Sequence, residues 1–117
     1  EMFALASGLK ADYRVYLLSN IGDMHWAHLD SLYGLDTLVH GACASFRVGA
    51  IKPHVDIYRK AEVMFDLDPS ATVFLDDLLP NVTAARDCGW HAIHHIDAGL
   101  TRSQLRTLGV RLPAPFT

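Results

Sequence analysis

The sequence predicts an α/β fold built on a doubly wound parallel sheet, and three observations carry that expectation. Four short apolar segments rich in aliphatic and β-branched residues recur along the chain. Each is separated from the next by a stretch in which apolar residues repeat at helical intervals, the alternation that βα units produce. Polar residues suited to catalysis stand at the ends of two of those segments, where open parallel sheets bind ligands.

The elements follow in order. Met2, Leu5, Ala6 and Leu9 share one side of a helix leading into the first strand, Val15 to Ser19. Trp26, Leu29, Leu32 and Tyr33 then mark one face of a helix that stops at Gly34, the residue type best suited to a left-handed C-terminal turn. The second strand is expected over Thr37 to Cys43. Ile57, Tyr58, Ala61, Met64 and Phe65 define the next helix, with Pro53 ahead of it and Pro69 beyond it. The third strand is Thr72 to Asp76. Pro80 suits the first turn of the helix that follows, whose stripe is Val82, Ala85 and Cys88 and whose stop is Gly89. After a fourth strand, His91 to Ile96, the last helix is expected to start at Thr101 as N-cap. Gln104 would complete a capping box there, Leu100 and Leu105 a staple, and Gly109 and Pro113 the end.

Composition narrows the function classes. Half of the 117 residues are hydrophobic, enough for one core, so residues 1–117 are expected to form a single domain. The net charge of −3 comes with no Lys or Arg block, which argues against a nucleic-acid partner. No apolar run approaches the roughly 20 residues of a membrane span, and no secretory signal opens the chain. A cytoplasmic location is the expectation. Cys43 and Cys88 lack CxxC spacing and read as small core residues. His25 with His28, and His91 with His94 and His95, lack the Cys or carboxylate partners of a zinc site. Trp26, Trp90 and the tyrosines read as core rather than as a stacking platform. The first residue is Glu1 rather than Met, so the chain is expected to begin inside a longer product.

The chemistry concentrates at three places: Ser19-Asn20 at the end of the first strand, Lys52 in the loop Gly49 to Pro53, and Asp76-Asp77 at the end of the third strand. Adjacent carboxylates repel unless a hard cation shares them, and magnesium favours one or two carboxylates together with water and phosphate oxygens. A lysine ammonium neutralises a transferring phosphoryl group, and a serine hydroxyl donates to its oxygens. The set therefore points to phosphoryl chemistry on Mg2+.

These strings also resemble a known family. "YLLSN", "VGAIKPHVDIY" and "TVFLDDLLPNVTAARDCGWHAI" resemble motifs II, III and IV of the haloacid dehalogenase (HAD) superfamily, in order and at matching spacing from Tyr13 through Ile96. "SNIGDMHW" further resembles small sugar-phosphate phosphatases and the phosphatase domains attached to epoxide hydrolases. The resemblance implies a three-layer, Rossmann-like HAD core and hydrolysis of a small phosphomonoester, a small phosphorylated metabolite, through an aspartyl-phosphate. It implies that Ser19 binds the phosphoryl group with Asn20 lining the pocket, and that Lys52 stabilises the nucleophile and the phosphoryl. Asp76 and Asp77 would bind magnesium, Asp77 directly and Asp76 through water, and Asn81 would be positional.

Motif I, the DxD that supplies the nucleophile at the end of an earlier strand, has no counterpart here. Asp66-Leu67-Asp68 follows a helix and reads as a surface turn. The family's central strand, between those ending at Ser19 and Asp76, and its helical cap are thus expected to lie in a missing N-terminal segment of the same protein. The chain alone is expected to be inactive. A non-catalytic HAD-like binding or interaction module is the alternative. A response-regulator receiver would order its acidic residues and lysine differently, and haloacid dehalogenation needs no metal. The oligomeric state stays open.

Overall fold

A computed structural model describes residues 8–10, 12–35 and 39–112. The chain forms β1 (Tyr16–Ser19), α1 (Asp23–Tyr33), β2 (Gly41–Ala44), the single-turn α2 (Ser45–Val48), α3 (Val55–Phe65), a 3-10 turn (Pro69–Ala71), β3 (Val73–Asp76), α4 (Leu79–Asp87), β4 (His91–His94) and α5 (Ala98–Thr107). Among the described residues no helix is long and apolar enough to cross a membrane.

The strands pair in parallel as two separate ribbons, β1 with β2 and β3 with β4. Parallel pairing follows from the helical crossovers the spacing predicts, α1 within the first pair and α4 within the second. The expected α/β class holds, and so does the expected gap: β1 and β3 are not hydrogen-bonded to each other. Between them runs a cavity of about 700 Å³ lined along both strands, by Tyr16, Leu17 and Leu18 on one side and Val73, Phe74 and Leu75 on the other. β1 and β3 each have one strand partner and leave the other edge to this slot.

Local chemistry explains most boundaries. Gly34 ends α1 in the left-handed conformation at φ 60°, as its sequence position predicts. Asp66 does the same for α3 at φ 53°, and Asp68 then caps the 3-10 turn by accepting from the Ser70 N–H. The Asp66-Leu67-Asp68 segment is thus a turn, as expected. Gly41 is required by contact: a Cβ there would fall 2.9 Å from Phe65, whose ring stacks on Tyr16 at 4.1 Å. The second strand begins at Gly41, and the expected Thr37 and Leu38 lie outside the described residues. So do the expected residues Met2, Leu5 and Ala6 and the terminal Pro113.

The last helix departs from expectation. It starts at Ala98, and Asp97, not Thr101, is the N-cap, its carboxylate accepting from the Leu100 N–H at 2.9 Å. Asp97 sits in extended geometry with a short acceptor in reach of the first turn, which is what a cap requires. Thr101 is already inside the helix and fully buried, its hydroxyl 2.6 Å from His95 Nδ1.

The main core joins the two ribbons. Tyr58 of α3, Phe74 of β3 and Trp90 ahead of β4 meet edge-on, with ring centroids 5.4 to 6.0 Å apart. Cys43 and Cys88 are buried free thiols in this cluster, as anticipated. Trp26 is buried in a second cluster with Ile21, Leu35 and Ala44, whereas Tyr33 is exposed. The indole of Trp90 donates to Glu62 at 2.8 Å, and Arg59 pairs with the same carboxylate.

Burial alone would raise the Glu62 carboxyl, but the hydrogen bonds from Arg59 and Trp90 outweigh it and hold it below its ordinary value. A carboxylate with a lowered folded pKa stabilises the fold above its unfolded pKa and loses that contribution as pH falls through the folded value. Glu62→Gln is therefore expected to cost about 1 kcal/mol near neutral pH. Well below the carboxylate range the cost should largely vanish. Urea midpoints at the two pH values check this, and an equal loss at both would show that the charge is not responsible.

Candidate active site

Ser19 ends β1 and Asp76 ends β3, so both side chains emerge at the carboxyl ends of parallel strands. Lys52 comes from the loop between α2 and α3, and the fold brings it to Asp76: Nζ lies 2.7 Å from Oδ2, with only 11% and 6% of the two side chains exposed. A cavity of about 460 Å³ is lined by Ser19, Asn20, Lys52, Asp76, Asp77 and Asn81, together with Leu75, Leu78 and His95. Every residue assigned to the site from sequence thus borders one cavity.

The backbone of Lys52 is held by Asn20. Its N–H donates to Asn20 Oδ1 at 2.8 Å, and Asn20 Nδ2 donates to its carbonyl at 3.0 Å. Asn20 therefore borders the cavity while its amide is committed to the lysine loop. Ser45 does comparable work for the loop after β1: Ile21 N–H donates to Ser45 Oγ, which donates to the Ile21 carbonyl.

Asp76 is fully engaged. Oδ2 accepts from Lys52 and from Asn81 Nδ2 at 3.2 Å, and Oδ1 accepts from the Leu78 N–H at 2.8 Å. Burial would raise its carboxyl, yet the Lys52, Leu78 and Asn81 donors together bring it below the usual range. Asn81 is fixed in turn by Tyr58, whose hydroxyl donates to the Asn81 carbonyl at 2.8 Å. Burial, and after it the Asp76 charge, push the Tyr58 phenol up, so it remains a donor. Asp77 differs from its neighbour: it is exposed, and its carboxylate takes no hydrogen bond among the described residues. The Ser19 hydroxyl likewise has no hydrogen bond among the described residues.

Among the described residues no three His, Cys, Asp or Glu side chains converge as a metal cage. A magnesium ion that keeps waters and shares substrate phosphate needs only one or two protein carboxylates. The free Asp77 carboxylate beside the cavity fits that demand. His25 and His28 are exposed on α1, His91 meets the Ser70 carbonyl and His94 the Asp77 carbonyl.

Three residues of the site escaped sequence reading. Ser45, which braces the loop after β1 from 24 residues away, and His95, whose N–H meets the Asp76 carbonyl and whose ring meets Thr101, carry no local motif. Leu78 lines the cavity as an exposed apolar residue, a signal visible only once the loop is placed.

No protein-family model matches the chain. Over 94 residues it is 32% identical to the sesquiterpene phosphatase astK of Aspergillus oryzae, a match covering 80% of this chain and 48% of that protein. The chain thus spans about half the length of this curated relative. A predicted HAD-like family hydrolase from Porphyromonas gingivalis superposes with a TM-score of 0.78 at 27% identity, over 94% of this chain and 57% of that one. The HAD family enzyme bt-2542 from Bacteroides thetaiotaomicron, in complex with magnesium and inorganic phosphate, gives 0.77 at 24% identity over 86% and 55%.

Removing one member of a buried ion pair strands the other. Asp76→Ala is expected to lower unfolding stability by about 3 to 5 kcal/mol, and Lys52→Met with Asp76→Leu by clearly less than the two single losses combined. Urea unfolding of Asp76→Ala, of the single variants Lys52→Met and Asp76→Leu, and of their double reads this directly, and additive losses would mean that the pair is not coupled.

Proposed function

We propose, from the premise that this chain is the C-terminal part of a HAD-superfamily hydrolase, that the parent protein is a magnesium-dependent phosphomonoesterase working through an aspartyl-phosphate. The observation that carries the reading is the single cavity in which Ser19, Lys52 and Asp77 meet beside the open slot between β1 and β3. The slot suits one further parallel strand. Inserted there, its carboxyl end would arrive between Ser19 and Asp76, where a nucleophilic carboxylate is needed. We assign that strand to an N-terminal segment of the same protein.

In this reading Ser19 Oγ–H donates to a phosphoryl oxygen, and the Lys52 ammonium neutralises charge on the phosphoryl as it transfers. Asp77 would hold the cation, while Asp76 orients Lys52. Magnesium, when bound, supplies positive charge to the phosphate oxygens. A carboxylate oxygen from the inserted strand forms the bond to phosphorus as the bond to the leaving oxygen breaks, and water then releases phosphate.

The rim supports a leaving group with an apolar body. Leu78, beside Asp77, lines the cavity and is 57% exposed, and Ile51, next in sequence to Lys52, and Met24, in the first turn of α1, are exposed at 59% and 84%. The likeness to a sesquiterpene phosphatase agrees with that choice. Small sugar phosphates would leave this rim bare.

Residues 1–117 alone are expected to show no magnesium-dependent turnover of p-nitrophenyl phosphate, and the full-length protein to turn it over. Asp77→Asn in the full-length protein should lower kcat by on the order of a hundredfold or more. Turnover by residues 1–117 would show that no inserted strand is needed for catalysis, and none by the full-length protein would favour the reading of a binding module over the enzyme. A prenyl phosphate should surpass glycerol phosphate in kcat/KM by about tenfold or more, since buried methylenes add to transition-state binding. Equal values would remove the apolar leaving group.

A further inference from the structure

His95 stands one residue past β4, where its N–H donates to the Asp76 carbonyl at 2.8 Å and so continues the β3–β4 ladder to the site. His95 lines the same cavity as Ser19, Lys52 and Asp77. One ring nitrogen is committed, since Nδ1 lies 2.6 Å from Thr101 Oγ1.

That contact sets the tautomer. Thr101 is completely buried, and Nδ1 is the only partner its hydroxyl has among the described residues. If Nδ1 carried the hydrogen, the threonine O–H would be a buried donor with no acceptor, an arrangement folded proteins avoid. The hydroxyl therefore donates to Nδ1, and the hydrogen of the neutral ring resides on Nε2. Nε2 has no protein partner among the described residues. A nitrogen carrying hydrogen cannot ligate a metal, but it can donate to an anion.

We propose that His95 is a substrate-positioning residue whose Nε2–H donates to a phosphoryl oxygen, with buried Thr101 holding the ring in the donating tautomer. The inference rests on the phosphatase reading and adds to it a neutral donor placed next to the Asp76-Asp77 pair. Charge from those two carboxylates repels a phosphate that has to bind beside them, and a fixed N–H on that wall offsets the repulsion.

Two substitutions separate this role from a structural one. Asparagine keeps an amide near the Nδ1 position, able to meet Thr101, with nothing at Nε2. Glutamine reaches the Nε2 position with an N–H but loses the Thr101 contact. In the full-length protein with magnesium, His95→Asn should weaken calorimetric binding of inorganic phosphate by about tenfold, the loss of one hydrogen bond to an anion. KM for p-nitrophenyl phosphate should rise with it while kcat changes less. His95→Gln should retain most of the wild-type affinity, although thermal unfolding should show it to be the less stable variant. Retained binding in His95→Asn, or equal loss in both variants, would overturn the proposal.

The wild-type ring gives a test that needs no variant. Long-range nitrogen NMR should show a hydrogen-bearing Nε2 whose resonance moves on addition of phosphate, and a bare Nε2 would overturn the assignment. A wild type that neither binds phosphate nor turns over substrate would bring down this inference and the phosphatase reading together. A wild type that does both, with variants unchanged, would bring down this inference alone.

Discussion

Because β1–β2 and β3–β4 share no hydrogen bond, their cohesion passes through side chains, and the buried Lys52–Asp76 pair is the contact at which cohesion and chemistry coincide. The pair links the loop ahead of α3 to the end of β3. Below it, Tyr58 of α3 packs edge-on against Phe74 and Trp90 and donates to the carbonyl of Asn81, whose amide returns to Asp76. The aromatic core and the site thus form one connected structure. A buried pair of this kind is a poor source of net stability, because desolvation opposes the Coulomb attraction. What it supplies is position: it brings the ends of two otherwise unpaired ribbons to a common point.

Side chains around the cavity fall into two sets. Asn20, Ser45, Asp76 and Asn81 spend their hydrogen-bonding capacity on the protein itself. Ser19, Asp77 and the Nε2 face of His95 spend none on it among the described residues. Sites organised for anions usually show this division, with a rigid inner layer and a few donors and acceptors left over for the ligand. Asp76 and Asp77 show it most sharply, being the same residue type side by side. The pleat turns one inward to three donors and leaves the other exposed.

Much of this was legible in sequence, and the rest was hidden for identifiable reasons. Strand ends at Ser19 and Asp76 were readable because apolar runs give way abruptly to polar residues. Helix stops at Gly34 and Gly89 were readable because few other residues tolerate the left-handed backbone. The gap beside β1 was readable as a family strand with no counterpart in the chain. The start of α5 was misread because Asp97 and Thr101 are both good caps, and Thr101 also had a plausible box and staple. What decides between them is that the Thr101 hydroxyl faces His95, a contact no periodicity announces. The same limit hid the roles of Ser45 and Asn20, whose partners lie 24 and 32 residues away.

The clamp between Asn20 and Lys52 carries a further consequence. An amide that both accepts from a backbone N–H and donates to the carbonyl of the same residue reproduces with a side chain the two-point pairing of neighbouring strands. The lysine backbone is thus anchored by neutral bonds, while its ammonium is anchored by charge. Ionic strength or a competing anion acts on the second anchor and leaves the first untouched. Lys52 can therefore exchange one negative partner for another at the tip of its side chain without carrying the loop along, much as a tool changes its grip while the arm stays still.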